Sequence, residues 1–218
     1  MRRIDMRTWP RRQHFEFFNT FDNPYFGMCA NVDLSKFYPF MKQHGYSNNI
    51  GIIYLIARTA NTIPEFRFRL REGEVVEHEV VHPASTILST GNLFNFCTFD
   101  YIEDFSTFEA RAKMQIARTQ QDSALQTKPG QDDLLYMTAI PWVSFTKFMH
   151  PMHFHPTDSV PRFAWGKFFN DGDRLLMPLD VQAHHALMDG FHIGQFFEKV
   201  QDFFHNPDSV LGKSKQPG

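Results

Sequence analysis

The chain has 218 residues, of which 42% are hydrophobic and 21% charged, enough for one full-sized core and too apolar for long disorder. A formal net charge of −2 provides no global field that would gather nucleic acid or an anionic membrane. Two cysteines, Cys29 and Cys97, form no disulfide framework and no metal-binding spacing, so both read as reduced core residues. Phenylalanine stands out at 25 residues spread along the chain, which calls for a large core, an oligomer interface or an apolar ligand pocket. No signal-peptide pattern opens the sequence, and the longest apolar run, Ile50 to Ala57, is far short of the roughly 20 residues of a membrane span, so a cytoplasmic location is expected.

In chain order, Leu34 to Gly45 predicts a helix stopped by its glycine, and Asn49 to Asn61 a second, mostly buried one ending before Pro64. Phe66–Leu70 and Val75–Val81 flank Arg71-Glu72-Gly73 and read as a hairpin, followed by strands at Ser85–Leu88 and Leu93–Phe99. Phe105–Gln120 predicts a helix with Glu109, Arg111 and Lys113 outward. Gln126–Asp133 reads as a loop and Leu134–Ile140 as a strand halted by Pro141. Arg162–Phe169 and Arg174–His184 are strands joined by the turn Asn170-Asp171-Gly172-Asp173. From Gly190 onward, Ile193, Phe196, Phe197, Val200, Phe203 and Phe204 repeat at helical spacing. Strands with helices laid against them imply an α/β two-layer sandwich: one domain over residues 1–211 and a frayed tail over 212–218.

Strand alternation places Leu179, Val181, Ala183 and His185 on one face and Asp180, Gln182 and His184 on the other. His185 thereby sits on the apolar face, where burial keeps an imidazole neutral and able to accept a proton. On spacing alone, a core histidine satisfied by a backbone carbonyl, with Asp189 as a helix cap, remains open. The five arginines Arg2, Arg3, Arg7, Arg11 and Arg12 leave a nucleic-acid arm open as well. His150, His153 and His155 offer a weak zinc-like cluster, against which the flanking Pro151 and Pro156 favour a solvated loop without metal.

The stretch from His184 to His192 resembles the active-site signature of chloramphenicol acetyltransferases. The resemblance extends to Trp9–Phe17, to Pro64-Glu65-Phe66-Arg67, to Pro141-Trp142-Val143-Ser144-Phe145 and to Asp173–Leu179, in order from about residue 9 to 205. It implies a coenzyme A-dependent acyltransferase fold and a homotrimer whose active sites lie between subunits, the histidine coming from one and most of the acceptor pocket from its neighbour. It also implies His185 as general base in direct acetyl transfer from acetyl-coenzyme A to a small hydroxylated acceptor. Thr138 falls where the family has an oxyanion-stabilising serine, and Asp189 with Arg11 where a charged pair supports the site. Phe17, Phe18, Phe26, Thr86 and Phe148 fall at acceptor-binding positions, and Thr138, Trp142 and Phe168 at coenzyme-binding ones.

Several positions depart from the family. Phe18 and Phe168 stand for tyrosines, His150 for an apolar residue and Ala164 for a threonine. Tyr46-Ser47-Asn48-Asn49 lacks a lysine and an aromatic residue, so weaker coenzyme binding is expected. A dihydrolipoamide-type acyltransferase and a catalytically weak binder of hydrophobic ligands are the alternatives.

Overall fold

The computed structural model describes residues 1–121, 125, 128–153 and 157–212. In chain order the elements are β1 (Arg2–Arg3), α1 (Arg12–Phe18), β2 (Tyr25–Asp33), α2 (Phe37–His44), α3 (Asn48–Asn61), β3 (Phe68–Arg71), β4 (Glu74–Glu77), β5 (His82–Leu88), β6 (Phe94–Thr98), α4 (Phe105–Gln121), β7 (Leu134–Ile140), β8 (Arg162–Gly166), β9 (Phe169–Asp171), β10 (Arg174–His184), α5 (Gly190–His205) and α6 (Asp208–Leu211). Two sheets form among the described residues. The larger runs β2-β10-β8-β7-β5-β6, with β9 paired to the start of β10; the smaller is β1-β4-β3. Only β5–β7 and β7–β8 pair in parallel in the large sheet, so the sheet is mixed.

The layers follow from the apolar stripes. On α5, Ile193, Phe196, Val200 and Phe204 are buried, and α3 is buried on nearly every side. Both share one core cluster with the apolar residues of β10, where Met177, Leu179, Val181 and Ala183 are almost fully excluded from water. Helices on one face of a mixed sheet give the expected two-layer α/β sandwich. None of the described helices is long and apolar enough to cross a membrane.

Local differences from the sequence reading have physical causes. The first hairpin strand starts at Phe68 rather than Phe66, because Pro64–Arg67 winds into a 3-10 turn that the fixed φ of proline favours. Glu72 and Gly73 close that hairpin, both with positive φ. Arg162–Phe169 is not one continuous strand. At Gly166 a side chain would meet Pro178 Cγ and Val143 O, each at 2.8 Å, and Lys167 N then leaves the ladder to donate to Val143 O at 2.9 Å. Glu109 faces inward, not outward: it is buried and accepts hydrogen bonds from Ser47 N at 2.9 Å and Lys113 Nζ at 3.0 Å, fixing the start of α3. Cys97 is buried as expected, but Cys29 on β2 is half-exposed. Beyond Gly212 the expected tail lies outside the described residues, as do positions 126 and 127 of the 126–133 loop.

The five N-terminal arginines do not form a free basic arm. Arg2 pairs with Glu77, Arg3 with Glu74, Arg7 with Asp5, Arg11 with Asp189 and Arg12 with Glu16. The first two pin β1 to β4, so the cluster's charge is matched within the chain.

Candidate active site

The turn between β10 and α5 carries the histidine pair. The β10–β2 ladder ends at the pairing of His184 with Tyr25, so His185 lies beyond the last strand residue and strand alternation does not reach it. Its main chain is held from both sides: His185 N donates to Pro24 O at 2.7 Å, and Arg11 Nη2 donates to His185 O at 3.3 Å. The imidazole is sandwiched. Phe18 stacks on it with ring centroids 3.8 Å apart and planes 7° from parallel, and Phe26 closes the other side at 4.4 Å. Nδ1 of His185 is buried without a hydrogen-bond partner among the described residues.

The deeper imidazole is His184, contrary to the alternation argument. It is 2% exposed, its Nδ1 accepts from Ala186 N at 3.3 Å, and burial, helped by its neighbour His185, pushes its pKa down to about 4. The solvent-excluded histidine of the pair is therefore His184. His185, half-buried against aromatic rings, is the one presented at the surface of the fold.

Asp189 caps α5 by accepting from Phe191 N at 3.0 Å, and His192 completes a capping box through Nδ1, which accepts from Asp189 N at 3.1 Å. The cap and the charged pair are thus the same residue, since Asp189 Oδ2 also receives Arg11 Nη1 at 2.5 Å. Burial alone would raise the carboxyl pKa; Arg11, His192 and the cap bond outweigh it and hold it below the usual carboxylate range. Glu65, from Pro64-Glu65-Phe66-Arg67, lies 3.4 Å from His192 Nε2 and extends this network, a role that neither periodicity nor spacing signals.

The other expected residues gather elsewhere. Thr138 lies on β7 beside Ala164 of β8, and its Oγ1 is 3.3 Å from His150 Nε2. His150 is no solvated loop residue: its backbone N and Nδ1 both donate to Gln182 Oε1 of β10, at 2.8 and 3.1 Å, and Phe148 packs on its ring edge at 4.7 Å. Lys147 Nζ meets the buried Asp180 at 2.9 Å, and Asp180 Oδ2 also accepts from Phe148 N. Trp142 is 66% exposed, and Phe168 rests edge-on against Tyr38, both at the ends of β7 and β8. Thr86 sits on β5 opposite Phe96.

The structure therefore brings His185, Arg11, Asp189, Phe18 and Phe26 together, with Phe17 joined through its contact with Phe18. Thr138 and Phe148 form a second group joined through His150, while Trp142 and Phe168 lie just past the ends of β7 and β8. No hydrogen bond or ring contact among the described residues links the two groups. Phe18 and Phe26 fall on the histidine's own chain, because β2 borders β10 and α1 leads into it. No group of three or more metal-ligating side chains occurs among the described residues; His155 lies outside them.

A model of the chloramphenicol acetyltransferase family matches residues 1–201. A chloramphenicol acetyltransferase of Proteus mirabilis is 32% identical over 92% of this chain and 93% of its own length. Chloramphenicol acetyltransferase 2 of Escherichia coli is 32% identical over 91% and 94%. A solved chloramphenicol acetyltransferase superposes with a TM-score of 0.87 at 30% identity, over 94% of this chain and all of that one. A probable dihydrolipoamide acetyltransferase from Listeria monocytogenes shares the fold at 13% identity, with a TM-score of 0.63. The chain belongs to the chloramphenicol acetyltransferase family.

Proposed function

We propose that this protein transfers the acetyl group of acetyl-coenzyme A to a hydroxyl of chloramphenicol or a similar small alcohol, with His185 as general base. The observation that carries this reading is the clamped imidazole of His185, fixed at its backbone by Pro24 and Arg11 and at its ring by Phe18 and Phe26. A base must be held in one geometry to remove a proton in the transition state. With Nδ1 buried, Nε2 is the nitrogen that accepts the substrate proton, and Nδ1 carries the ring's own proton in the resting state.

In the proposed step His185 Nε2 takes the hydroxyl proton as the alcohol oxygen attacks the thioester carbonyl. The tetrahedral oxyanion receives a hydrogen bond from Thr138 Oγ1. Collapse breaks the C–S bond, and the imidazolium returns its proton to the departing thiolate. Every proton and electron pair is then accounted for without an acyl-enzyme, so neither cysteine is required. In both thiols burial raises the pKa, which disfavours the nucleophilic thiolate.

The separation of Thr138 from His185 within one chain supports a trimer in which the histidine group of one subunit faces the threonine group of the next. Acceptor-dependent thiol release from acetyl-coenzyme A tests the reaction. Co-refolding His185→Ala with Thr138→Ala tests the shared site, because mixed trimers contain interfaces that are intact on both sides. Recovery of activity above either parent is expected, whereas no recovery despite mixed assembly contradicts the shared site. Thiol release with other alcohols but not chloramphenicol would keep the mechanism and overturn the acceptor.

A further inference from the structure

Thr138 carries one hydroxyl proton, and the structure shows where it points. The atom of Gln182 that lies 2.8 Å from the backbone N–H of His150 must be an acceptor, which fixes that amide with its oxygen toward His150. The same oxygen is 3.1 Å from His150 Nδ1, so Nδ1 carries a proton. In the neutral ring Nε2 is then a bare acceptor, and the group 3.3 Å from it is the Thr138 hydroxyl. Thr138 donates to His150 and has no second proton to give. Gln182 is 5% exposed, so the anchor of this chain is itself excluded from water.

We propose that His150 is a positioning residue that switches the direction of the Thr138 hydroxyl, through the chain Gln182–His150–Thr138. While the ring is neutral, the hydroxyl proton is drawn away from an oxyanion. When the ring is protonated, Nε2 becomes a donor to Thr138 Oγ1, and the hydroxyl proton is released to point elsewhere, now polarised by an adjacent positive charge. At 3.3 Å the bond is at the long end of the hydrogen-bonding range, so it exchanges readily when a substrate oxyanion competes for the proton. Both ring nitrogens are engaged, which makes His150 a residue acting through Thr138 rather than one touching substrate.

The groups facing the ring decide its charge. Burial holds His150 below the usual histidine value. Gln182 opposes this through its hydrogen bond, Arg162 of β8 reinforces it, Asp180 of β10 opposes it and Lys147 of the same segment reinforces it. At neutral pH the ring is therefore in the state that occupies the threonine proton, and acidification below the ordinary histidine range releases it.

This inference rests on the assignment of Thr138 to the oxyanion in the proposed reaction, and its test separates the two. Two-bond 1H–15N correlation spectra of the histidine-labelled protein, with His150 assigned by loss of its signals in His150→Leu, read the tautomer without turnover. The Nδ1–H form with a bare Nε2 is expected; an Nε2–H form overturns the switch. In saturating acetyl-transfer assays, with thiol detection by a dithiodipyridine, His150→Leu should raise kcat about threefold at pH 8 by freeing the hydroxyl. That ratio of variant to wild type should fall at least about threefold on acidification below the ordinary histidine range, as protonation of the wild-type ring releases the hydroxyl. In a Thr138→Ala background the same ratio should stay within about twofold of one at both pH values. A pH-independent ratio, or an unchanged effect without the threonine hydroxyl, overturns the proposal. Absence of any acetyl transfer by the wild type overturns the functional reading and the catalytic consequence together, while the tautomer still decides whether the chain of hydrogen bonds exists.

Discussion

Replacing Arg11 by alanine removes two contacts at once, the ion pair to Asp189 and the bond to His185 O. The Arg11 side chain is 13% exposed and Asp189 31% exposed, so the stranded carboxylate is partly rehydrated. The cost of the broken pair should thus sit near or just below the bottom of the roughly 3–5 kcal/mol range for fully buried pairs. Asp189 keeps its cap bond to Phe191 N, which limits the loss further, whereas the lost bond to the His185 carbonyl adds about 1 kcal/mol. A total of about 3 kcal/mol corresponds to a fall in Tm of about 6–12 °C for a chain of this size. Catalysis should suffer as well, because the His185 main chain is then held only through Pro24. A fall in kcat of about 10- to 100-fold is expected from a displaced base. Circular dichroism melts and thiol-release kinetics on Arg11→Ala read both quantities. Folding lowers the Asp189 pKa, so its contribution is complete above the unfolded carboxyl value and is lost as pH falls through the folded one. The difference in Tm between wild type and variant should accordingly shrink below about pH 4. A Tm within 2 °C of wild type together with kcat within about twofold would refute the clamp.

His184 gives a second pH signature. Its pKa drops to about 4 on folding, so the unfolded chain binds a proton that the folded one does not, and stability falls as pH drops from about 6.5 to about 4. The loss is on the order of 3 kcal/mol over that window, and urea titrations of His184→Gln should show a flatter profile; parallel profiles would contradict the assignment. Gly27→Ala should destabilise by about 1–3 kcal/mol, because the new Cβ would lie 2.7 Å from Val181 O, a backbone atom that cannot swing aside, as well as 2.6 Å from Lys147 Nζ. An unchanged urea midpoint would show that β2 and β10 can separate there. Phe18→Ala should lower kcat about 10-fold more than it lowers Tm-derived stability explains, since it frees one face of the His185 ring. An unaltered kcat would show that Phe26 suffices.

The layers were legible because their signals are periodic. Leu134–Ile140 matches the observed strand at both ends, as does Arg174–His184, and the apolar stripe from Ile193 to Phe204 is the buried face of α5. What failed was decided by partners distant in sequence. Glu109 reads as a surface charge until Ser47 N supplies it with a donor, and the strand after Arg162 breaks because Val143 takes the Lys167 amide. At the site, alternation pointed to His185 by extending a strand one residue too far, and it misjudged which imidazole is buried. Family resemblance named Arg11 and Asp189, and the 2.5 Å ion pair between them is where the resemblance places it. The aromatic clamp by Phe18 and Phe26, the Glu65–His192 extension and the Gln182–His150–Thr138 chain depend on side chains brought together across 12 to more than 100 residues, and no local pattern encodes them.

The central claim is that His185 removes the substrate proton. Thiol release from acetyl-coenzyme A with chloramphenicol should fall by about 10²- to 10⁴-fold in His185→Ala, with KM for both substrates within a few-fold and an unchanged melting profile. A variant that folds normally and keeps acceptor-dependent kcat within tenfold of wild type would contradict the account.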